Sequence, residues 1–353
     1  KSRTESFASN LSVNWELDLW ARIRHAQDAV ELEVYAVNLD NEAAAHSIIS
    51  QVVKGWFSLG EANQLTKLME QQLELAQLAQ KQVEIRFMLG RATASELKRA
   101  QANLAYYHSR LSQLSNSIVR YSRALELILG RHVGQKPLVA AGLPDTISNV
   151  PVGLPSGVLR RRPDIAASIT RVKAARERIA EGEAGLLPSL SLTGSAGTSS
   201  NQLKDLLNGN FLAWALGSTI AQNILLADER MARIREREVN AELALLEHRA
   251  VVFKALNEVE QSLEVGMHLA CQQEELLVVA RKYVELIDLS KERHAKGVGS
   301  LSEILEAKRL HVESSMDWVR LKKQQIDNRV NLHLALGGGF ALKEANNETS
   351  SAD

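Results

Sequence analysis

Two carboxylates, Glu303 and Glu306, stand three residues apart in "GVGSLSEILEAKRL" at residues 297–310, and a third, Glu96, follows similar punctuation in "GRATASELKRAQANL" at 90–104. Read alone, Glu303 and Glu306 are acids in the first turn of a helix, where the helix dipole favours negative charge. The other carboxylates are scattered over polar helix faces, so no acid–base pair stands out. The nine histidines include no pair at zinc-ligand spacing and no H-E-x-x-H sequence. "GVGSLS" is only the start of a dinucleotide loop and follows helix rather than strand, while "GSAG" lacks the nucleophile-elbow pattern. The single cysteine, Cys271 in "HLACQQEELL", excludes an internal disulfide and is expected to be a buried structural thiol. These residues support no enzyme, metal site or cofactor.

The elements that position them are mostly helical. The 353 residues carry 42 basic and 42 acidic side chains with no long run of either sign, which removes the electrostatic footprint of a nucleic-acid binder. All six prolines fall between Pro137 and Pro188, flanked by segments near 20–130 and 222–337 rich in Ala, Leu, Gln, Glu, Lys and Arg. Leu65, Leu68, Met69, Leu75, Ala76, Ala79 and Val83 form one helical stripe, opposite Asn63, Lys67, Glu70, Glu74, Gln77, Lys81 and Glu84. A second stripe, Leu276, Ala280, Tyr283 and Ile287, opposes Arg281, Lys282, Glu285 and Asp288.

The helical blocks are copies. Gly297 follows Gly90 by 207 positions, and the same offset carries Ser95 to Ser302, Glu96 to Glu303, Ala100 to Ala307 and Leu129-Gly130 to Leu336-Gly337. This predicts a duplicated helical hairpin with a reversal at each glycine, each first arm being on the order of 100 Å long. The boundaries expected are 8–130 for the first repeat (tip near 90–95), 131–163 for a proline-rich linker, 164–340 for the second repeat (strands about 186–225, tip near 297–302) and 341–353 for a disordered tail. Pro163-Asp164 reads as a helix start, with Arg160, Arg161 and Arg162 structural beside it.

Strand signals sit away from the tips. In "LSVNWELDLW", Leu11, Val13, Trp15, Leu17 and Leu19 alternate with polar residues. Two windows, Ala184–Leu203 and Leu206–Ala227, avoid charge in a chain that is 24% charged. "PSLSLTGSAG" alternates within the first; "FLAWALGSTIAQNILL" in the second is less regular. Strands of a membrane barrel have this length and pattern, as does a soluble β-hairpin. No run of 18 or more strongly apolar residues suggests a spanning helix, and residues 1–18 have no hydrophobic core or cleavage site typical of a secretory signal.

"LPSGVLRRRPDIAAS", "GLLPSLSLTGSAG", "NWELDLWARIRHA" and "LHLALGGGF" together resemble the TolC-type outer-membrane factor family, especially the branch serving resistance-nodulation-division efflux pumps. The resemblance covers about residues 8–340. It implies a mainly α fold with a few β-strands. Long helical hairpins build a periplasmic helical barrel, and strands contribute to a trimeric transmembrane β-barrel of twelve strands. The proline-rich linker and tail fall in an equatorial belt. The implied protein is a passive exit duct in the outer membrane of a Gram-negative bacterium, without enzymatic activity or cofactor. Its partners are two further copies of itself, a periplasmic adaptor, an inner-membrane pump and outer-membrane lipid, with no nucleic acid.

Drug efflux, metal efflux and type I secretion share this component, and a soluble coiled-coil scaffold is the alternative outside the class. Members also start with a secretory signal, often a lipid-modified cysteine, then a helical pair and a first strand. By that resemblance this chain opens at about the second strand and supplies three of a protomer's four. As implied by the family, Gly90, Ala92, Ser95, Gly297, Gly299 and Ser302 form the periplasmic tip and adaptor contact. Glu96, His294, Glu303 and Glu306 line the constriction, where three copies place a carboxylate ring that favours cations. His294 and Gly299 stand where the family often has an aromatic and an arginine, so that latch is not expected to form as such.

Overall fold

The computed structural model describes residues 7–132, 140, 142–144, 161–205, 212–222 and 227–338. Most of the proline-rich linker, Arg160 and the tail 341–353 lie outside them. In chain order the described elements are β1 (Phe7–Leu17), α1 (Arg22–Met88), α2 (Ala94–Ile128), α3 (Pro163–Ala184), β2 (Ser189–Ser200), β3 (Leu212–Ala221), α4 (Ala227–Ala295) and α5 (Leu301–Ala335). The chain divides into two compact units. One comprises Lys1–Asn41 and Pro163–Phe253; the other comprises Glu42–Arg162 and Lys254–Asp353.

The first unit holds an antiparallel sheet in the order β1-β2-β3. Its register pairs Trp15 with Leu192, Val13 with Gly194 and Leu11 with Ala196. On the other side of β2, Leu190 faces Ile220, Gly194 faces Leu216 and Ala196 faces Trp214. Because side chains alternate along a strand, these pairs all lie on one face. That face is mainly apolar, interrupted by Ser218 opposite Leu192, with large residues beside small ones, so that Leu11 and Trp214 flank Ala196. The opposite face carries Ser12, Asn14 and Glu16, then Ser191, Thr193 and Ser195, then Ala213, Ala215, Gly217 and Thr219. The apolar face is uncovered: Leu11 is 73% exposed and Trp214 77%. Strands of 10 to 12 residues are long enough to cross a hydrocarbon core when tilted. Leu19, expected to continue the alternation, lies past the end of β1 in the turn toward α1. In that turn Ala21 has a φ of 57°, while the Asp18 carboxylate accepts from the amides of Ile23 and Arg24, both at 2.9 Å. This supplies acceptors to two of the orphan donors that every helix start exposes.

In this unit α1 meets α3 through a small apolar cluster, with Ala36, Leu39 and Ala167 buried together. Three polar links cross the same seam, His25–Glu177, Arg171–Asp40 and Arg178–Glu33. Among the described residues, no helix is long and apolar enough to cross a membrane.

The second unit packs α1 against α2 and α5. Leu65, Met69 and Ala76 from α1, Tyr107 from α2, and Met316, Val319 and Ile326 from α5 share one core. Leu59 and Leu125 anchor a second cluster and are essentially fully buried, each stabilising the fold by about 1.5–3 kcal/mol. The α1 stripe expected from periodicity is buried or half-buried throughout, and its opposing residues from Lys67 onward are exposed. Gln72 is one of the buried polar residues here, donating to the Arg309 carbonyl at 2.7 Å. Arg162 is buried and bonds the Glu258 carboxylate (2.7 Å) and the Ala335 carbonyl (3.2 Å), a structural role of the kind expected for the arginine run.

Cys271 corrects the sequence reading, because its side chain is exposed. Leu269 is buried on α4, and two residues further on, the helix has turned by about 200°, which points Cys271 away from that contact.

Candidate functional site

The structure puts the sequence-derived site residues on two helix reversals in the second unit, and the 207-residue offset holds residue by residue. α2 starts at Ala94 and α5 at Leu301; α2 ends at Ile128 and α5 at Ala335. Gly90 and Gly297 have φ values of 70° and 75°, left-handed conformations that glycine adopts without a Cβ penalty. Each ends its helix with paired bonds. Gly90 N donates to the Phe87 carbonyl (2.9 Å) and Arg91 N to that of Arg86 (2.7 Å). Gly297 N donates to the His294 carbonyl (2.9 Å) and Val298 N to that of Arg293 (3.0 Å). This is the Schellman arrangement, in which the otherwise orphaned carbonyls of a last turn are satisfied. It recurs at Gly130 and Gly337, the far ends of the two return helices.

The helices restart on hydroxyl caps. Thr93 Oγ1 accepts from Glu96 N, and Ser300 Oγ from Glu303 N, both at 3.2 Å. At Thr93 the bonding is reciprocal: the Glu96 carboxylate accepts from Thr93 N at 2.7 Å, completing a capping box. That backbone bond, together with nearby Arg86 and Arg99, holds the Glu96 carboxyl below the usual carboxylate range. The reciprocal bond is absent at Ser300. The Glu303 carboxylate lies 3.9 Å from Arg293 and is half-exposed.

Glu306 is in a different position. It takes a two-pronged bond from Arg309, at 2.9 and 2.8 Å, and Arg309 also reaches Glu313 at 2.9 Å. That bond to Arg309 holds the Glu306 carboxyl below its ordinary value, and the guanidinium is correspondingly raised. Of the two acids in the expected pair, Glu303 therefore carries the less compensated charge.

His294 and Gly299 come together. The His294 Nδ1 lies 3.0 Å from the Gly299 carbonyl oxygen. Gly299 is also tightly placed, since a Cβ there would stand 2.9 Å from Arg293 Cβ and 3.1 Å from His294 N. Ser302 Oγ donates to Gln82 Oε1 at 3.2 Å, fixing the second reversal to the last turns of α1. Ser95, Glu96, Gly90 and Gly297 are exposed, and Ala92 is half-buried. The sequence reading missed the apolar residues presented beside them: Met88 (73% exposed), Leu89 (64%) and Val298 (69%). Their signal was available, since Leu89 and Val298 directly flank a turn glycine and Met88 precedes Leu89.

Comparison with known proteins bears on the family and the fold. The family described as "Outer membrane efflux protein" matches residues 1–131 and 154–338. The cation efflux system protein CusC of Escherichia coli is 25% identical over 344 residues, which are 96% of this chain and 74% of that protein. The solvent efflux pump outer membrane protein SrpC of Pseudomonas putida is 28% identical over 362 residues, covering 97% of this chain and 73% of its own length. Among solved structures, CusC superposes with a TM-score of 0.85 at 23% identity, over 95% of this chain and 79% of that one. The Campylobacter jejuni CmeC outer membrane channel gives 0.85 at 23%, over 96% and 78%. A soluble coiled-coil scaffold accounts for neither the two-faced sheet nor this match. The chain belongs to the outer membrane efflux protein family: it is the outer-membrane duct of an efflux system, extending into the periplasm, and not an enzyme.

Proposed function

We propose that the chain acts as a homotrimeric, passive exit duct whose periplasmic end is formed by the two hairpin tips. One observation carries the reading: a sheet with one exposed apolar face, one small and polar face, and two edges without a partner strand among the described residues. In lipid, backbone groups must be satisfied internally, so such edges require further strands, and neighbouring protomers are one source of them. The apolar face then meets outer-membrane lipid and the small polar face lines water.

The tips are the place where a periplasmic adaptor docks. Gly90, Ala92, Ser95, Gly297, Gly299 and Ser302 shape the two reversals, while Met88, Leu89 and Val298 offer apolar contact. An inner-membrane pump drives transport, and the duct hydrolyses nothing. Glu96, His294, Glu303 and Glu306 line the constriction; three copies of Glu303, less compensated than Glu306, set its cation preference. The cargo is a small molecule. The names of relatives span a cation and a solvent efflux system, so a metal-efflux duct fits the same geometry.

Detergent extraction followed by native mass measurement tests the assembly, with a trimer expected and a monomer opposing it. Single-channel recording tests the tip. Glu303→Gln is expected to lower cation over anion preference more than Glu306→Gln, and unchanged selectivity in the double variant removes the carboxylate ring from the proposal.

A further inference from the structure

Away from the tips, in the unit that carries the sheet, His25 and Asp28 of α1 and Glu177 of α3 bring three ligand-type atoms within 4.8 Å of one another. We propose that these residues form a binding site for a divalent transition ion of the zinc type, which clamps the start of α1 to α3.

The chemistry of the donor set favours that class. One imidazole nitrogen and two carboxylate oxygens suit zinc and its neighbours, whereas magnesium and calcium prefer oxygen donors alone. His25 and Asp28 are three residues apart on one helix, so both project from the same face. Glu177, 152 residues from His25 in sequence, closes the set from the facing helix. All three side chains are half-buried, so they are partly shielded yet open to an entering ion.

The metal-free geometry is near what an ion needs. His25 Nδ1 and Glu177 Oε2 are hydrogen-bonded across 2.7 Å. Two ligands about 2.0–2.1 Å from a tetrahedral ion stand ~3.3–3.4 Å apart, so the carboxylate has to swing out by about 0.7 Å as the ion replaces the proton. Three protein ligands leave a fourth position for water. The site joins two helices that otherwise meet through the small cluster of Ala36, Leu39 and Ala167 and through the Arg171–Asp40 and Arg178–Glu33 pairs. A bound ion therefore adds to the stability of that seam by mass action, because the unfolded chain does not bring the three ligands together.

The sequence could not reveal this site. His25 and Asp28 alone are an ordinary helical pair, and only the packing of α3 supplies the third ligand.

The test titrates Zn²⁺ into the detergent-solubilised full chain by calorimetry, alongside His25→Ala, Asp28→Asn, Glu177→Gln and a control, His268→Ala, on an exposed face of α4. The expected result is loss of one binding step per chain in each of the three variants and its retention in the control. Zn²⁺ should also raise the thermal midpoint of the parent protein and of the control, but not of the three variants. Co²⁺ supplies a second readout, a visible absorption band absent from His25→Ala. Asp28→Asn preserves size and helix, which guards against a variant that fails to fold. An unchanged number of Zn²⁺ ions in all three site variants, or binding of Mg²⁺ as tight as that of Zn²⁺, overturns the proposal.

Discussion

At the first tip Ala92 follows Gly90, and Glu96 closes a full capping box on Thr93. At the second, Gly299 and Ser300 stand in those places, and the Glu303 carboxylate leaves the Ser300 amide alone. The backbone between Gly90 and Thr93 corresponds to that between Gly297 and Ser300 in its left-handed glycine, its paired carbonyl bonds and its hydroxyl cap. The side chains do different work on it. At the first tip the acid is used locally, to start a helix. At the second it is released from that duty, and the turn is instead tightened by the His294 contact to the Gly299 carbonyl. A duplicated hairpin thus keeps the geometry that reverses the chain and lets one copy present a carboxylate.

The largest test of that difference is steric. Gly299→Ala is expected to destabilise the second tip by about 1–3 kcal/mol, because the added Cβ meets backbone that cannot rotate away. The reverse change at the equivalent position, Ala92→Gly, should cost at most about 0.4–1 kcal/mol through chain entropy. Hydrogen exchange of the tip amides measures both. Equal losses at the two positions break the comparison.

Next in size are the turn glycines. A Cβ at Gly90 or Gly297 meets nothing within 4 Å, so only left-handed strain opposes it. Gly90→Ala and Gly297→Ala should therefore cost the same, about 1–2 kcal/mol each. A marked inequality would show that the two reversals are not the same backbone device.

A smaller effect belongs to His294→Phe, which copies Phe87 of the first tip into the second. Removing one exposed hydrogen bond should loosen the second reversal by about 0.5–1 kcal/mol. Faster exchange should be confined to residues 297–300, and an unchanged rate there would leave the His294 contact without a structural role.

The smallest effect is electrostatic. Glu96→Gln should speed exchange of the Thr93 amide, whereas Glu303→Gln should leave the Ser300 amide unchanged. The sign of the pH response follows from the depressed Glu96 carboxyl. Its contribution to the folded tip is fully present above the ordinary carboxylate value and is lost as pH falls through the lowered one. The parent protein should show that acid loss at Thr93, and Glu96→Gln should abolish it. Acid loss of the same size in the variant would assign it to another group.

The sequence was informative wherever one residue type is enough to dictate a local event. Gly90 and Gly297 take left-handed turns because only glycine does so freely. The Thr93 and Ser300 caps, which the sequence reading passed over, follow the same local logic, since a hydroxyl reaches an amide two or three residues ahead. The α1 stripe declared its buried face because a helix repeats every 3.6 residues. In β1 a period of two showed through because its inward residues are polar. β3 was harder to read for a physical reason. Its inner face is small rather than polar, so Leu212, Trp214, Leu216 and Ile220 alternate with Ala213, Ala215, Gly217 and Thr219 mainly in size, with Ser218 interrupting the large row, and a polarity pattern does not register that.

Other properties were settled only by chain segments meeting in space. Cys271 is exposed because of which side of α4 finds a neighbour, not because of the apolar residues beside it. The unequal compensation of Glu303 and Glu306 is an intermediate case. Arg309 lies three residues from Glu306 on the same helix, but a side chain with several rotatable bonds can bridge to either neighbour or to solvent, so spacing alone does not fix its partner. His25 and Asp28 acquire Glu177 only when α3 lies against α1. The linear chain determined the turns, caps, stripes and repeat, because each depends on interactions within a few residues. Tertiary structure decided exposure and the three-residue cluster, because each depends on groups that only the packing of distant helices brings within a few ångströms.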